Sequence, residues 1–177
     1  MSRKVILYIA MSLDGYIAAE DGKVDFLEGH HDGGAENTSY SDFSKEIDTV
    51  IMGRTTYNQI ITQLSPDVWV YDGLKSFVVT TTEYQEDKNV EFVDDKIIDI
   101  ISELKQTKGK NIWLIGRSKV IDLFMQNYMI DEYIITIIPT ILGSGIPLFN
   151  TQTQIKSLKK DYVKTFGDFV EIKYSKS

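Results

Sequence analysis

The chain has 177 residues, of which 42% are hydrophobic, 11% aromatic and 25% charged, with no cysteine. This suits a single globular domain and excludes intrinsic disorder, a disulfide scaffold, thiolate-held metal and a cysteine nucleophile. A net charge of −7 argues against a nucleic-acid surface, which needs a cationic face, and no apolar run approaches the ~20 residues of a membrane span.

Met1-Ser2-Arg3-Lys4 leads directly into a strand-like run at 5–11 (VILYIAM). No small-residue cleavage site follows, so a cytoplasmic protein is the expectation. A polar, glycine-containing stretch at 18–38 has the length of a lid or binding loop. A short helix is expected over 40–47, with Thr38 and Ser39 as possible caps. Strand-like runs recur at 50–52, 77–79, 112–115 and 133–138. They are continuous rather than alternating, which predicts strands covered on both faces. Between them, Tyr57, Ile60, Ile61 and Leu64 fall on one face of a predicted helix. Ile97, Ile98, Ile101 and Leu104 mark a second. Val120, Ile121, Phe124 and Tyr128 mark a third, with Ser118 as its expected cap. Beyond Pro139 no helix is predicted, and residues 141–149 (ILGSGIPLF) read as an apolar contact loop. Val170, Ile172 and Tyr174 alternate with Glu171 and Lys173, predicting a strand with one wet face. Phe166-Gly167-Asp168-Phe169 reads as the two-residue turn of a hairpin with glycine first, type II′. The expected fold is α/β, a three-layer α/β/α sandwich with a mixed, mostly parallel sheet and an antiparallel C-terminal edge hairpin.

In open α/β sheets, ligands bind outside the carboxyl ends of the strands. The chain has three arginines, and two of them, Arg54 and Arg117, directly follow a glycine where a strand-like run turns into a helix. Gly53 and Gly116 let a phosphate approach the backbone, a helix start offers free N–H groups, and a guanidinium fork fits phosphate. Thr55, Thr56 and Ser118 add hydroxyls. Paired sites of this kind suit a ligand with separated phosphates, such as a dinucleotide. Thr80, Thr81 and Thr82 form a third strand end with hydroxyls but no cation. Ala10 is small where a flat ring could pack; Asp14-Gly15 reads either as a tight turn or as a carboxylate that orients substrate. His30, His31, Asp32 and Glu36 lack zinc-ligand spacing and read as a polar loop, so no metal is expected.

The segments 5–18 (VILYIAMSLDGYIA), 50–57 (VIMGRTTY), 77–81 (FVVTT), 112–124 (IWLIGRSKVIDLF) and 130–149 (IDEYIITIIPTILGSGIPLF) resemble, in this order, the dihydrofolate reductase-like superfamily. The branch resembled is that of the C-terminal reductase domain of RibD, a riboflavin-pathway enzyme that reduces 5-amino-6-(5-phosphoribosylamino)uracil. The resemblance implies one domain over 1–177, NADPH as cofactor, a small-molecule substrate and a homodimer. It places cofactor phosphates at Gly53, Arg54, Thr55 and Thr56 and has Gly116, Arg117 and Ser118 close over the pyrophosphate. It sets Ala10 beside the nicotinamide, Thr80 and Thr81 by the adenosine ribose, and Asp14 near substrate. Three departures are visible: Gly116-Arg117 stands where dihydrofolate reductases carry Gly-Gly, Thr82 and Glu83 stand where they place a basic residue for the 2′-phosphate, and Asn37-Thr38-Ser39 stands where they carry an acid. A nucleotide-binding module without turnover, dihydrofolate reductase proper and an oligomeric scaffold remain alternatives to a reductase of a small polar heterocycle or carbonyl.

Overall fold

The computed structural model describes residues 2–31, 33–34, 37–150 and 156–177, without the side chain of Ser118. The main sheet has eight strands. They are β1 (Val5–Ser12), β3 (Ile47–Gly53), β4 (Lys75–Val79), β5 (Glu91–Val93), β6 (Asn111–Leu114), β7 (Glu132–Ile138), β9 (Leu158–Phe166) and β10 (Phe169–Lys176). Their order is β5-β4-β3-β6-β1-β7-β10-β9. The six strands from β5 to β7 run parallel, and β10 and β9 continue the sheet as an antiparallel hairpin. A small second ladder joins β2 (Tyr16–Ala18) to β8 (Ile146–Pro147).

The apolar runs are continuous because both faces of the sheet are covered. Val5 and Leu7, Ile51, and Ile112 and Leu114 point to one side. There they meet Ile97 and Ile101 of α3 (Ile97–Leu104) and Val120, Ile121 and Phe124 of α4 (Ser118–Gln126). Ile6, Val50, Met52 and Trp113 point to the other side, against Phe43 of α1 (Ser39–Lys45) and Tyr57 of α2 (Arg54–Gln59). The result is the expected three-layer sandwich. The second side is rich in rings: Tyr8 stacks on Phe43 at 4.3 Å between centroids, and Trp113 meets both edge-on.

Several local expectations need correction. The first helix stops at Lys45, and Ile47 already belongs to β3. Thr38 occupies its cap position without a side-chain cap bond. After Gln59 the chain widens into a π-helical turn, Ile60–Leu64, so the regular spacing fails and Leu64 is left exposed. In α4 the cap position is Arg117, and Ser118 opens the helix. Tyr128 lies past the end of α4 with φ 55 and an exposed side chain. The loop after β7 is only partly a surface: Leu148 is fully buried, whereas Ile141 is 71% exposed. Gly167 has φ 54, and among the described non-glycine residues only Tyr128 has positive φ, which fits a type II′ turn at 167–168. A side chain at Gly167 would also collide with the His31 carbonyl.

At the amino edge of the sheet, buried Glu132 accepts from Lys4 and from Lys173, the latter at 2.7 Å. Burial alone would raise its pKa, but the hydrogen bonds from Lys173 and Lys4 outweigh it and hold the carboxyl below its ordinary value. A depressed folded-state pKa adds stability that is complete above the unfolded value of about 4.3 and is lost as pH falls through the folded value. Urea midpoints should therefore fall from about pH 5 downward, and Glu132→Gln should show a shallower loss over that window. Equal slopes in the two proteins would remove Glu132 from the acid response.

Candidate active site

The two Gly-Arg corners are brought together by the sheet. β3 and β6 are direct neighbours, with Ile51 opposite Leu114, and Ile115 donates its N–H to the Ile51 carbonyl at 2.8 Å. Gly116 has φ 122, and a Cβ there would lie 2.9 Å from Thr56 Oγ1 and 3.7 Å from the Gly53 nitrogen. Only glycine lets the second corner come so close to the first. β6 ends opposite Leu7, while β1 runs on to Ser12 beside β7. A notch therefore opens between the ends of β3 and β1, above Ile115 and Gly116.

Arg54 sits on the outer side of this notch. Its guanidinium carbon lies 5.1 Å from the Phe92 ring centroid and 5.5 Å from that of Tyr57. Its Nη1 is buried without a hydrogen-bond partner. A buried donor of this kind costs about 1–3 kcal/mol, more when charged, so it calls for an acceptor. The Tyr57 hydroxyl donates to Asp87 Oδ2 at 2.7 Å. Burial and the Asp87 carboxylate push the Tyr57 phenol up to about 12, against the opposing pull of Arg54. Nearby, Thr80, Thr81, Thr82, Tyr84, Phe92 and Lys96 line a cavity of about 480 Å³. Arg117 reaches across the notch instead: its Nη2 donates to the Gly22 carbonyl at 3.0 Å and to Gln59 Oε1 at 3.1 Å. Thr55 is exposed beside it, and the side chain of Ser118 lies outside the described atoms.

Ala10 lies partly exposed on the aromatic side of β1, two residues beyond Tyr8. Asp14 lies in the turn directly after β1. It accepts from Ser12 Oγ at 2.6 Å, Gly143 N at 2.7 Å and Leu142 N at 3.1 Å. The Ser12 hydroxyl, then the Gly143 and Leu142 amides, hold its carboxyl below the ordinary value. Both oxygens are thus engaged in holding the loop after β7 over the end of β1. His30 points into the same region, with Nε2 3.0 Å from Thr140 Oγ1 and 3.2 Å from the Phe26 carbonyl.

Glu171 is the residue that reading the sequence missed. It was expected on a wet face, yet it is 1% exposed. It pairs with Thr136, which pairs with Ala10, so the three lie in one row across the sheet on the aromatic side. Tyr162 donates to Glu171 Oε1 at 2.9 Å, and Ser39 donates to Oε2. Burial, then the carboxylate charge, push the Tyr162 phenol well up. The segment that lacks the acid implied by the resemblance therefore places Ser39 against a carboxylate from β10. Strand alternation carried no sign of this, because the wet face is roofed by α1 and Tyr162.

Residues 3–171 match the RibD C-terminal domain. The chain belongs to the RibD C-terminal domain family. The uncharacterized Bacillus subtilis (strain 168) protein YwjB is 42% identical over 175 residues, 98% of each chain. The crystal structure of a protein assigned to riboflavin biosynthesis from Shewanella sp. PV-4 superposes with a TM-score of 0.84 at 29% identity, covering 100% of this chain and 99% of that one. The Thermotoga maritima deaminase/5-amino-6-(5-phosphoribosylamino)uracil reductase gives 0.69 at 16% identity, with 99% of this chain covering 57% of that one. Enterococcus faecalis dihydrofolate reductase, solved with NADP(H), gives 0.63 at 14%, covering 100% and 99%. These last two show a shared fold, mixed and mostly parallel.

Among the described residues, no helix is long and apolar enough to cross a membrane. Tyr162→Phe keeps the ring but leaves buried Glu171 short of a donor. It should lower stability by about 1–3 kcal/mol, read as a fall in urea midpoint. An unchanged midpoint would show that the phenol contributes nothing to holding the carboxylate.

Proposed function

We propose that the protein is an NADPH-dependent reductase of a small polar heterocycle or carbonyl compound, acting in the cytoplasm as a homodimer. The observation that carries this reading is the buried, unpartnered Nη1 of Arg54 at a corner pressed against Gly116. No carboxylate neutralises Arg54 among the described residues, so its charge is available to a phosphate. Gly53, Thr55, Thr56 and the start of α4 at Gly116, Arg117 and Ser118 would hold the pyrophosphate. Thr80 and Thr81, beside Lys96 in their cavity, would meet the ribose end. A reduced nicotinamide bound there supplies a hydride.

The remaining roles belong to the chain itself. Ala10 leaves room for a flat ring on β1. Beside it in the same row, the half-buried Thr136 would offer its hydroxyl to substrate, with Glu171 buried behind it. Asp14 acts through position, holding 142–143 over the end of β1.

A second reading, nucleotide binding without turnover, draws support from the engagement of both Asp14 oxygens and both Glu171 oxygens within the chain. Enzyme-dependent loss of reduced-nicotinamide absorbance with any member of a pterin, pyrimidine and lactone panel would eliminate it. For the cofactor itself, Arg54→Ala should weaken NADPH binding by about 1.5–3 kcal/mol through loss of a charge-assisted bond. Fluorescence titration giving equal affinity in both proteins would reject the role of Arg54. Equal losses for NADPH and NADH would place Arg54 at the pyrophosphate rather than at the 2′-phosphate.

A further inference from the structure

Arg117 does more than face the notch. Its Nη2 holds the carbonyl of Gly22, which belongs to a tight turn closed by Ala19 N to Lys23 O and Gly22 N to Ala19 O, both at 2.9 Å. Gln59, on the turn of helix beyond Thr55 and Thr56, accepts from the same Nη2 at 3.1 Å and reaches the Gly22 carbonyl through its own amide at 3.5 Å. The contact is built for close approach. A Cβ at Gly22 would lie 2.5 Å from Arg117 Nη2 and 2.6 Å from Nη1, and Gly22 has φ 85. A side chain there would be strained and would also push the guanidinium away. Arg117, Gly22, Lys23, Thr55 and Gln59 line one cavity of about 290 Å³, so the anchored turn and the first corner share a space. A guanidinium has five N–H donors, and the bonds of Arg117 to Gly22 and Gln59 are made by Nη2 alone.

We propose that Arg117 is a positioning residue that clamps the 19–23 turn over the notch and couples that turn to anion binding. The clamp stands on the contacts just described. The coupling rests on the reading that phosphates of a dinucleotide meet the same guanidinium. A guanidinium already fixed by Gly22 and Gln59 loses less freedom when an anion arrives, and an anion that fixes it strengthens its hold on the turn. The linkage is reciprocal: whatever affinity the docked turn adds to the ligand, the ligand returns as protection of the turn, typically 5–150-fold in such couplings, about 1–3 kcal/mol. The chain thus closes its lid with the same group that reads the charge beneath it.

Amide hydrogen exchange across 19–24 of the full chain tests this, without ligand, with inorganic pyrophosphate and with NADPH. In the wild type, exchange should slow at least five-fold with NADPH at saturation. In Arg117→Ala, exchange without ligand should already be faster, and saturating NADPH should not restore protection. Gly22→Ala disturbs the same contact from the turn side. It should likewise speed exchange and weaken NADPH binding several-fold, although residue 22 contributes neither charge nor hydroxyl. Circular dichroism and urea midpoints confirm that each variant is folded. Unchanged exchange in folded Arg117→Ala without ligand would overturn the clamp, and equal slowing by NADPH in wild type and variant would overturn the coupling. A wild type that shows no NADPH binding would instead defeat the cofactor reading, while the ligand-free comparison still decides the clamp.

Discussion

The contact on which the site depends is steric. Two neighbouring strands each end in a sharp corner, and the corners can coexist only because Gly116 has no side chain to meet Thr56 and Gly53. Adjacency of β3 and β6 comes from the winding of the sheet, since β6 returns between β3 and β1 after β4 and β5 have been laid outward. Close approach of the corners comes from the glycine. Together they set two arginines around one notch, and everything proposed for ligand binding follows from that placement.

The three arginines show how environment decides what a guanidinium can do. Arg3 is buried and bound to Asp48, Thr49 Oγ1 and the Lys110 carbonyl, so it ties strands together at the amino edge. Arg117 is half-buried and bound to neutral acceptors, which direct it without cancelling its charge. Arg54 is flanked by rings, which solvate a flat cation weakly and leave it available to an anion. A protein with a net charge of −7 can in this way keep a local attraction for phosphate, because field at short range depends on the nearest unpaired groups rather than on the sum.

Much of the architecture was legible in the sequence because it rests on periodicity that the core enforces. The runs of β1, β3, β4, β6 and β7 are apolar on both faces, and α3 buries Ile97 and Ile101 as its spacing implies. The glycine before each arginine marked both corners. Illegible features arise where tertiary contacts override local pattern. The π turn after Gln59 exposes Leu64, and nothing in the periodicity announces it. Glu171 alternates as a solvent-facing residue should, yet Ser39 and Tyr162, far from it in the chain, enclose it. Asp14 was read as turn or substrate ligand, and its partners at 142–143 could not be inferred from either reading.

The margins of the sheet carry a different consequence. One outer strand, β5, is three residues long. The other, β9, is long and exposed but carries Lys159, Lys160 and Lys164. Open backbone edges recruit foreign strands and seed fibres, and brevity or repelling cations are the usual defences. Growth past eight strands is thus discouraged at both rims. This chain can therefore be crowded without its sheet serving as a template for aggregation.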